Sequence, residues 1–153
     1  MAPPTEPFVL IVEDNPDDAE LIQAVFEARL AQAKTHRVVS GWEARSYLAG
    51  ESPFEDRRWN PLPSLVVLDL GLPDESGVEA GFEILAWLAE QEGISQIPVI
   101  VFTGYDDPEH ARRAQELGAR RFLRKDDGYE ELTEAIEEEL RRLVETQEGE
   151  PGS

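Results

Sequence analysis

The chain has 153 residues, no cysteine, two histidines and a formal net charge of −19. That length suits one domain with a core of its own, and the lack of thiols excludes disulfides, thiolate metal sites and cysteine nucleophiles. A chain this acidic repels nucleic acid and anionic membranes, since phosphate recognition draws on Lys and Arg, so neither is expected as a partner.

The opening Met1-Ala-Pro-Pro-Thr-Glu-Pro7 lacks the basic and apolar regions of a signal peptide. It is expected to be a disordered tail over residues 1–7, on a cytoplasmic protein. Phe8-Val-Leu-Ile-Val12 is an unbroken apolar run that stops at Glu13-Asp14. Asn15, Pro16, Asp17 and Asp18 then read as a helix start: cap, first-turn proline and acids at the positive end of the dipole. Leu21, Ile22, Val25 and Phe26 give that helix one apolar face, and it is expected to run to about Ala33. Thr35 to Val39 is a weaker, more polar strand, as an edge strand would be. Ser40 and Glu43 form a capping box for a second helix with Ala44, Tyr47 and Leu48 inward. Gly50 to Pro63 is a long loop, in which Trp59 is expected to pack down on the helix beneath.

Ser64-Leu-Val-Val-Leu-Asp69 has four consecutive apolar residues and no polar face, so as a strand it must be covered on both sides. The β-branched pair and the flanking prolines favour a strand over a buried helix. A Gly-, Pro- and acid-rich loop follows to Ala80. The third helix is expected over Gly81–Glu92, with Phe82, Leu85 and Leu88 or Ala89 inward and Gly93 as its stop. Pro98 to Phe102 is the next buried strand, closing on Thr103-Gly104. Asp107-Pro108-Glu109 starts a helix with Ala111, Ala114 and Leu117 on a narrow face. Arg120 to Arg124 is the last strand and ends at Lys125. The final helix, from about Gly128 to Glu145, places Tyr129, Leu132, Ile136, Leu140, Leu143 and Val144 on one stripe, with its glutamates in solvent. Residues 146–153 are expected to be a second disordered tail.

Five strand–helix alternations predict a single α/β domain over residues 8–145: a doubly wound, flavodoxin-like (βα)5 parallel sheet in strand order 2-1-3-4-5. Ligands of such sheets bind at the carboxyl ends of the strands, and those ends here carry Glu13, Asp14, Asp69, Thr103 and Lys125. Taken alone, Asp69 reads equally as a turn cap, and each of the others has a similar structural role open to it. Together they form an unusual set. Close carboxylates repel by roughly 3 kcal/mol per pair at an effective dielectric near 20, and a hard divalent cation relieves that. Carboxylates plus waters and a phosphate describe Mg²⁺. A carboxylate beside Mg²⁺ can attack phosphorus, while the lysine and the hydroxyl offset charge on the phosphoryl oxygens.

Val12-Glu-Asp-Asn-Pro-Asp17, Val67-Leu-Asp-Leu-Gly-Leu-Pro73, Val101-Phe-Thr-Gly104 and Phe122-Leu-Arg-Lys125, in that order and spacing, resemble the motifs of the bacterial response-regulator receiver domain (CheY-like). The run from Glu13 to Leu21 also resembles stand-alone regulators of the phytochrome-associated kind. The resemblance implies that Asp69 is the phosphoacceptor. It further implies that Glu13, Asp14, Asp69 and the backbone carbonyl of Gly71 hold Mg²⁺, and that Thr103 with Gly104, Lys125 and the aromatic Phe122 bind the phosphoryl group and switch. Gly71 and Tyr105 occupy positions that tune dephosphorylation. The implied donor is a phosphohistidine on a sensor histidine kinase or phosphotransfer protein. The output is a protein contact, with homodimerisation through the fourth helix, fifth strand and fifth helix as one form of it. Only self-catalysed phosphorylation and slow autodephosphorylation are expected, not an enzyme proper.

The sequence departs from the family pattern in three places. Asp126 and Asp127 follow Lys125 where a proline is usual, the loop after Asp69 is longer, with Gly77 or Gly81 as the family's glycine before the helix (Gly81 is favoured), and Phe122 lacks a hydroxyl. The first departure supports an alternative reading as a phosphorylation-independent scaffold or binding module. A flavin carrier or aspartate-nucleophile phosphatase fits less well. No Gly- or Ser/Thr-rich phosphate loop follows the first strand, and Asp69 has no second Asp two residues on.

Overall fold

The apolar runs pair side by side in the computed structural model, which describes residues 7–149 apart from 76, 78 and 106. β1 (Phe8–Val12) lies between β2 (Lys34–Val38) and β3 (Leu65–Leu68). Beyond them come β4 (Val99–Thr103) and the edge strand β5 (Arg121–Arg124), all parallel, in the order 2-1-3-4-5. β3 and β4 are buried along their whole lengths, as a strand covered on two faces requires.

Because side chains alternate across a strand, neighbouring residues feed two different cores. Leu10, Val12, Val66, Leu68, Val99 and Val101 face α2 (Gly41–Ala49), α3 (Glu79–Ala89) and α4 (Pro108–Glu116). Val9, Ile11, Leu65, Val67, Ile100 and Phe102 face α1 (Pro16–Arg29) and α5 (Tyr129–Gly149). Among the described residues no helix is long and apolar enough to cross a membrane.

The helix starts follow their caps. Asn15 Oδ1 accepts from the N–H groups of Asp17 and Asp18 at 2.9 and 3.1 Å, and Asp107 Oδ1 accepts from that of Glu109 at 2.9 Å. The Ser40 box closes by half. Ser40 Oγ accepts from Glu43 N at 3.0 Å, but the Glu43 carboxylate reaches Val39 N at 3.4 Å rather than Ser40. The other free N–H groups of α2 go to a residue far along the chain. Asp74 accepts from Gly41 N and Trp42 N at 2.8 and 3.1 Å, so the long β3–α3 loop is fastened to the start of α2. Gly81, already inside α3, is where that helix touches the sheet. A Cβ there would lie 2.7 Å from the Leu70 Cα, a backbone atom that cannot yield. Gly77, the other candidate for that place, has a positive φ of 60° and open space around it.

Four expectations are corrected. Trp59 does not cover α2 and is 80 % exposed. Phe54 fills that place instead, 5.0 Å from the Tyr47 ring, because Arg57 turns the loop inward by donating to the carbonyls of Tyr47, Leu48 and Asn60. Helix α1 ends at Arg29 with Leu30 as cap, not near Ala33. Its buried face is Ala19, Ile22 and Phe26, leaving Leu21 exposed. Helix α3 spans Glu79–Ala89 rather than Gly81–Glu92, and Ala89 is exposed.

The fourth concerns α5, whose glutamates are not all in solvent. Glu139 is 2 % exposed and lies 3.7 Å from both Arg120 and Arg121, because the helix turns it toward the base of β5. This helix continues to Gly149, past Glu145. Residues 146–149 of the expected tail at 146–153 are thus helical, while its remainder, residues 1–6 of the tail expected at 1–7, and the side chain of Val144 lie outside the described residues.

Candidate functional site

The register of the sheet builds the site. Val12 pairs with Leu68, so the residues that follow each of them emerge together, and Asp69 N donates to Val12 O at 3.0 Å. Thr103 pairs with Arg124, which brings the next residue, Lys125, to the same edge. Arg37 fixes the turn after β1 from the neighbouring strand, donating to Glu13 O at 2.9 Å and Asp14 O at 3.0 Å. The Glu13 side chain folds back to accept from Asn15 N at 3.2 Å, and Asp69 Oδ1 accepts from Gly71 N at 3.2 Å.

The result is an acidic pocket with one cation in it. Glu13, Asp14 and Asp69 each offer a carboxylate oxygen within 4.8 Å of the others. Lys125 Nζ lies 2.6 Å from Glu13 Oε1, 2.7 Å from Asp18 Oδ2 and 3.1 Å from Asp69 Oδ2. Burial and the Asp69 charge push the Glu13 carboxyl up to about 7, against the pull of Lys125. For Lys125 itself, burial works against the charge. The bonds to Asp18 and Glu13, with the charge of Asp69, outweigh it and raise the ammonium above its ordinary value. One ammonium thus stands among four carboxylates and contacts three of them. An oxygen-only donor set short of positive charge fits a hard divalent cation.

The other expected residues lie on the strands and loops that lead to this edge. Thr103 is buried at the end of β4, its Oγ1 accepting from Tyr105 N at 3.3 Å. Gly104 follows it at the strand end, with open space where a side chain would be. Gly71 and Tyr105 touch: a Cβ on Gly71 would come within 2.6 Å of the Tyr105 ring. Phe122 is half-buried and packs against the core under α2–α4. Lys125 opens a short 3-10 turn, Lys125–Asp127, in place of a proline. Asp127 is held away from the pocket by Arg124 at 3.0 and 3.1 Å, and Asp126 is exposed. Sequence reasoning missed Asp18 as a member of the site. It showed only as a first-turn acid suited to the helix dipole, since its partner is 107 residues away.

A family model for the response regulator receiver domain matches residues 9–137. The chain is 26 % identical to the response regulator Rcp1 of Synechocystis sp. over 129 residues, 84 % of this chain and 83 % of that protein. It is 32 % identical to the polar-differentiation response regulator DivK of Brucella ovis over 117 residues, 76 % of this chain and 82 % of that protein. The crystal structure of Rcp1 with Mn²⁺ bound superposes with a TM-score of 0.73, covering 85 % of this chain and 88 % of that one. That of the phosphorylated cyanobacterial phytochrome response regulator RcpA superposes with a TM-score of 0.74 at 25 % identity, covering 86 % and 89 %.

Proposed function

The chain belongs to the response regulator receiver family, a class of signalling modules rather than enzymes, and on that premise we propose that it takes a phosphoryl group on Asp69. The donor is a phosphohistidine of a sensor histidine kinase or phosphotransfer protein. An Asp69 oxygen forms the new bond to phosphorus, the P–N bond of the phosphohistidine breaks, and its electron pair returns to the imidazole. Glu13, Asp14 and Asp69, with the Gly71 carbonyl, are the residues that hold Mg²⁺. When bound, that ion supplies the positive charge that lets a carboxylate approach an anionic phosphoryl group. Lys125 offsets charge on the phosphoryl oxygens, and Thr103, with the backbone at Gly104, donates hydrogen bonds to them. Gly71 and Tyr105, which lie against each other, govern how readily water reaches the acyl phosphate.

The observation that carries this reading is the shared pocket itself: Lys125 Nζ within 3.1 Å of Asp69 Oδ2 at the centre of an acidic cluster. The phosphorylated state of the similar RcpA supports it. Output follows from the switch. Thr103 moves toward the phosphoryl group, Phe122 turns inward, and the surface of α4, β5 and α5 shifts its population. A change from 1:99 to 99:1 needs about 5.5 kcal/mol, which two charge-assisted hydrogen bonds at roughly 1.5–3 kcal/mol each come close to supplying. That surface is also the proposed homodimer face, and the cytoplasm the place of action.

Intact-mass measurement after acetyl phosphate and Mg²⁺ tests the phosphorylation. One phosphoryl mass on the native chain and none on Asp69→Asn is the expected result. No added mass on the native chain would favour the scaffold reading, to which Asp126 in the usual place of proline lends its support. Sedimentation with and without beryllofluoride tests the dimer, and identical masses in both states would remove it.

A further inference from the structure

An ammonium has three N–H donors, and Lys125 meets three carboxylates: Glu13 at 2.6 Å, Asp18 at 2.7 Å and Asp69 at 3.1 Å. The three are not equivalent. Glu13 and Asp69 stand at strand ends, are buried, and belong with Asp14 to the cluster that can hold a cation. Asp18 comes from the first turn of α1, keeps 27 % of its side chain in solvent, and stands outside that cluster. Its position is fixed by the helix cap: Asn15 Oδ1 accepts from Asp18 N at 3.1 Å, while Asn15 N donates to Glu13 Oε2 at 3.2 Å. The same turn therefore sets both acids at a fixed spacing around Lys125.

We infer that Asp18 is a positioning residue, which holds Lys125 Nζ on the α1 side of the pocket and so keeps the oxygens of Glu13 and Asp69 open to a divalent cation and a phosphoryl group. A lysine is a compact charge on a flexible stem. Without Asp18 its third N–H turns to the two remaining acids, and the ammonium competes there with the metal. With Asp18 in place, Lys125 keeps one fixed partner after metal and phosphoryl group have taken the other two. The inference rests on the reading of the pocket as a metal and phosphoryl site. It adds that α1, and not only the strand ends, sets where the cation of the chain sits.

The test is a double-mutant cycle read by Mn²⁺ titration calorimetry, together with the ¹⁵N ammonium resonance of Lys125 in metal-free protein. Asp18→Asn weakens Mn²⁺ binding about fivefold, the order expected for a charge-assisted bond that is partly exposed, and Asp18→Glu restores most of it. In a Lys125→Met background the same Asp18→Asn change alters Mn²⁺ affinity by less than about twofold, since no ammonium is left to reposition. The ammonium resonance is protected in the native chain and lost in Asp18→Asn at an unchanged melting midpoint. Equal losses in both backgrounds would reduce Asp18 to a distant charge and overturn the inference, as would an unaltered affinity or an ammonium resonance that survives in Asp18→Asn. A native chain that binds no Mn²⁺ would sink the pocket reading instead. The metal-free resonance still reports whether Asp18 holds Lys125.

Discussion

Two cations each draw separate segments of this chain together, with opposite consequences. Arg57 enters the corner between α2 and the loop that follows it and meets only neutral acceptors, the carbonyls of Tyr47, Leu48 and Asn60 at 2.9–3.1 Å. Two of these carbonyls belong to the last turn of α2 and the third to the loop, and a planar guanidinium reaches all three at once. Lys125 enters the strand-end pocket and meets carboxylates, more of them than it can neutralise. The Arg57 corner is complete without help. The Lys125 pocket carries surplus negative charge that a second cation can discharge. A structural cation and a functional one differ here in what surrounds them, not in how tightly they are held.

Arg57→Ala breaks the comparison most severely. It removes three hydrogen bonds to carbonyls, loosens the loop over Phe54 and lowers stability by about 2–3 kcal/mol, and added divalent metal does not restore it. Chemical denaturation with and without Mn²⁺ measures both parts. In the pocket the sign reverses. Asp14 has no part in the Lys125 contacts, so Asp14→Asn removes repulsion and breaks no ion pair among the described residues. It raises the stability of the metal-free chain by about 1.5 kcal/mol, and Mn²⁺ stabilises the variant less than the native protein. A fall in metal-free stability would mean the pocket is not over-charged.

Smaller effects come from the corner. Tyr47→Phe removes the hydroxyl that donates to Pro61 O at 2.9 Å and costs about 1 kcal/mol. Burial pushes the Tyr47 phenol up to about 12, so the folded state keeps its proton over a range where the unfolded chain loses it. Stability therefore falls as pH rises from about 10 to about 12, and denaturant midpoints across that range should flatten in Tyr47→Phe. His36, packed 4.9 Å from the Tyr47 ring and 5.9 Å from Phe54, is lowered below its ordinary value by burial, against a pull from Glu43. The unfolded chain then binds the proton first, so the contribution of His36 is whole above pH ~6.5 and shrinks as pH falls below it. A His36→Phe variant should lose that part of the acid dependence, the smallest of these effects.

Much of this was legible in residue order. The buried strands announce themselves because β-branched and aliphatic runs without a polar face leave few alternatives. Asn15-Pro16-Asp17 and Asp107-Pro108-Glu109 announce helix starts because a cap is a local bond. The strand-end acids Glu13, Asp14 and Asp69 could be assembled because a parallel sheet with right-handed crossovers leaves one edge for them. Trp59 and Phe54 were exchanged because either aromatic could cover α2, and the choice lies with Arg57, whose acceptors span the whole loop. Glu139 looked like any solvent-facing glutamate of its helix until the base of β5 supplied two arginines.

What the sequence settled by itself is therefore whatever follows from bonds and periodicities a few residues long: the element types, their order, and the side chains that end each strand. What only the tertiary structure decided is which charges share a space. Asp18 and Lys125 stand 107 positions apart, and nothing near either one marks the other. Coulomb interactions depend on distance through space and on burial, and chain order fixes neither until the sheet has closed and α1 has docked beside β5's end.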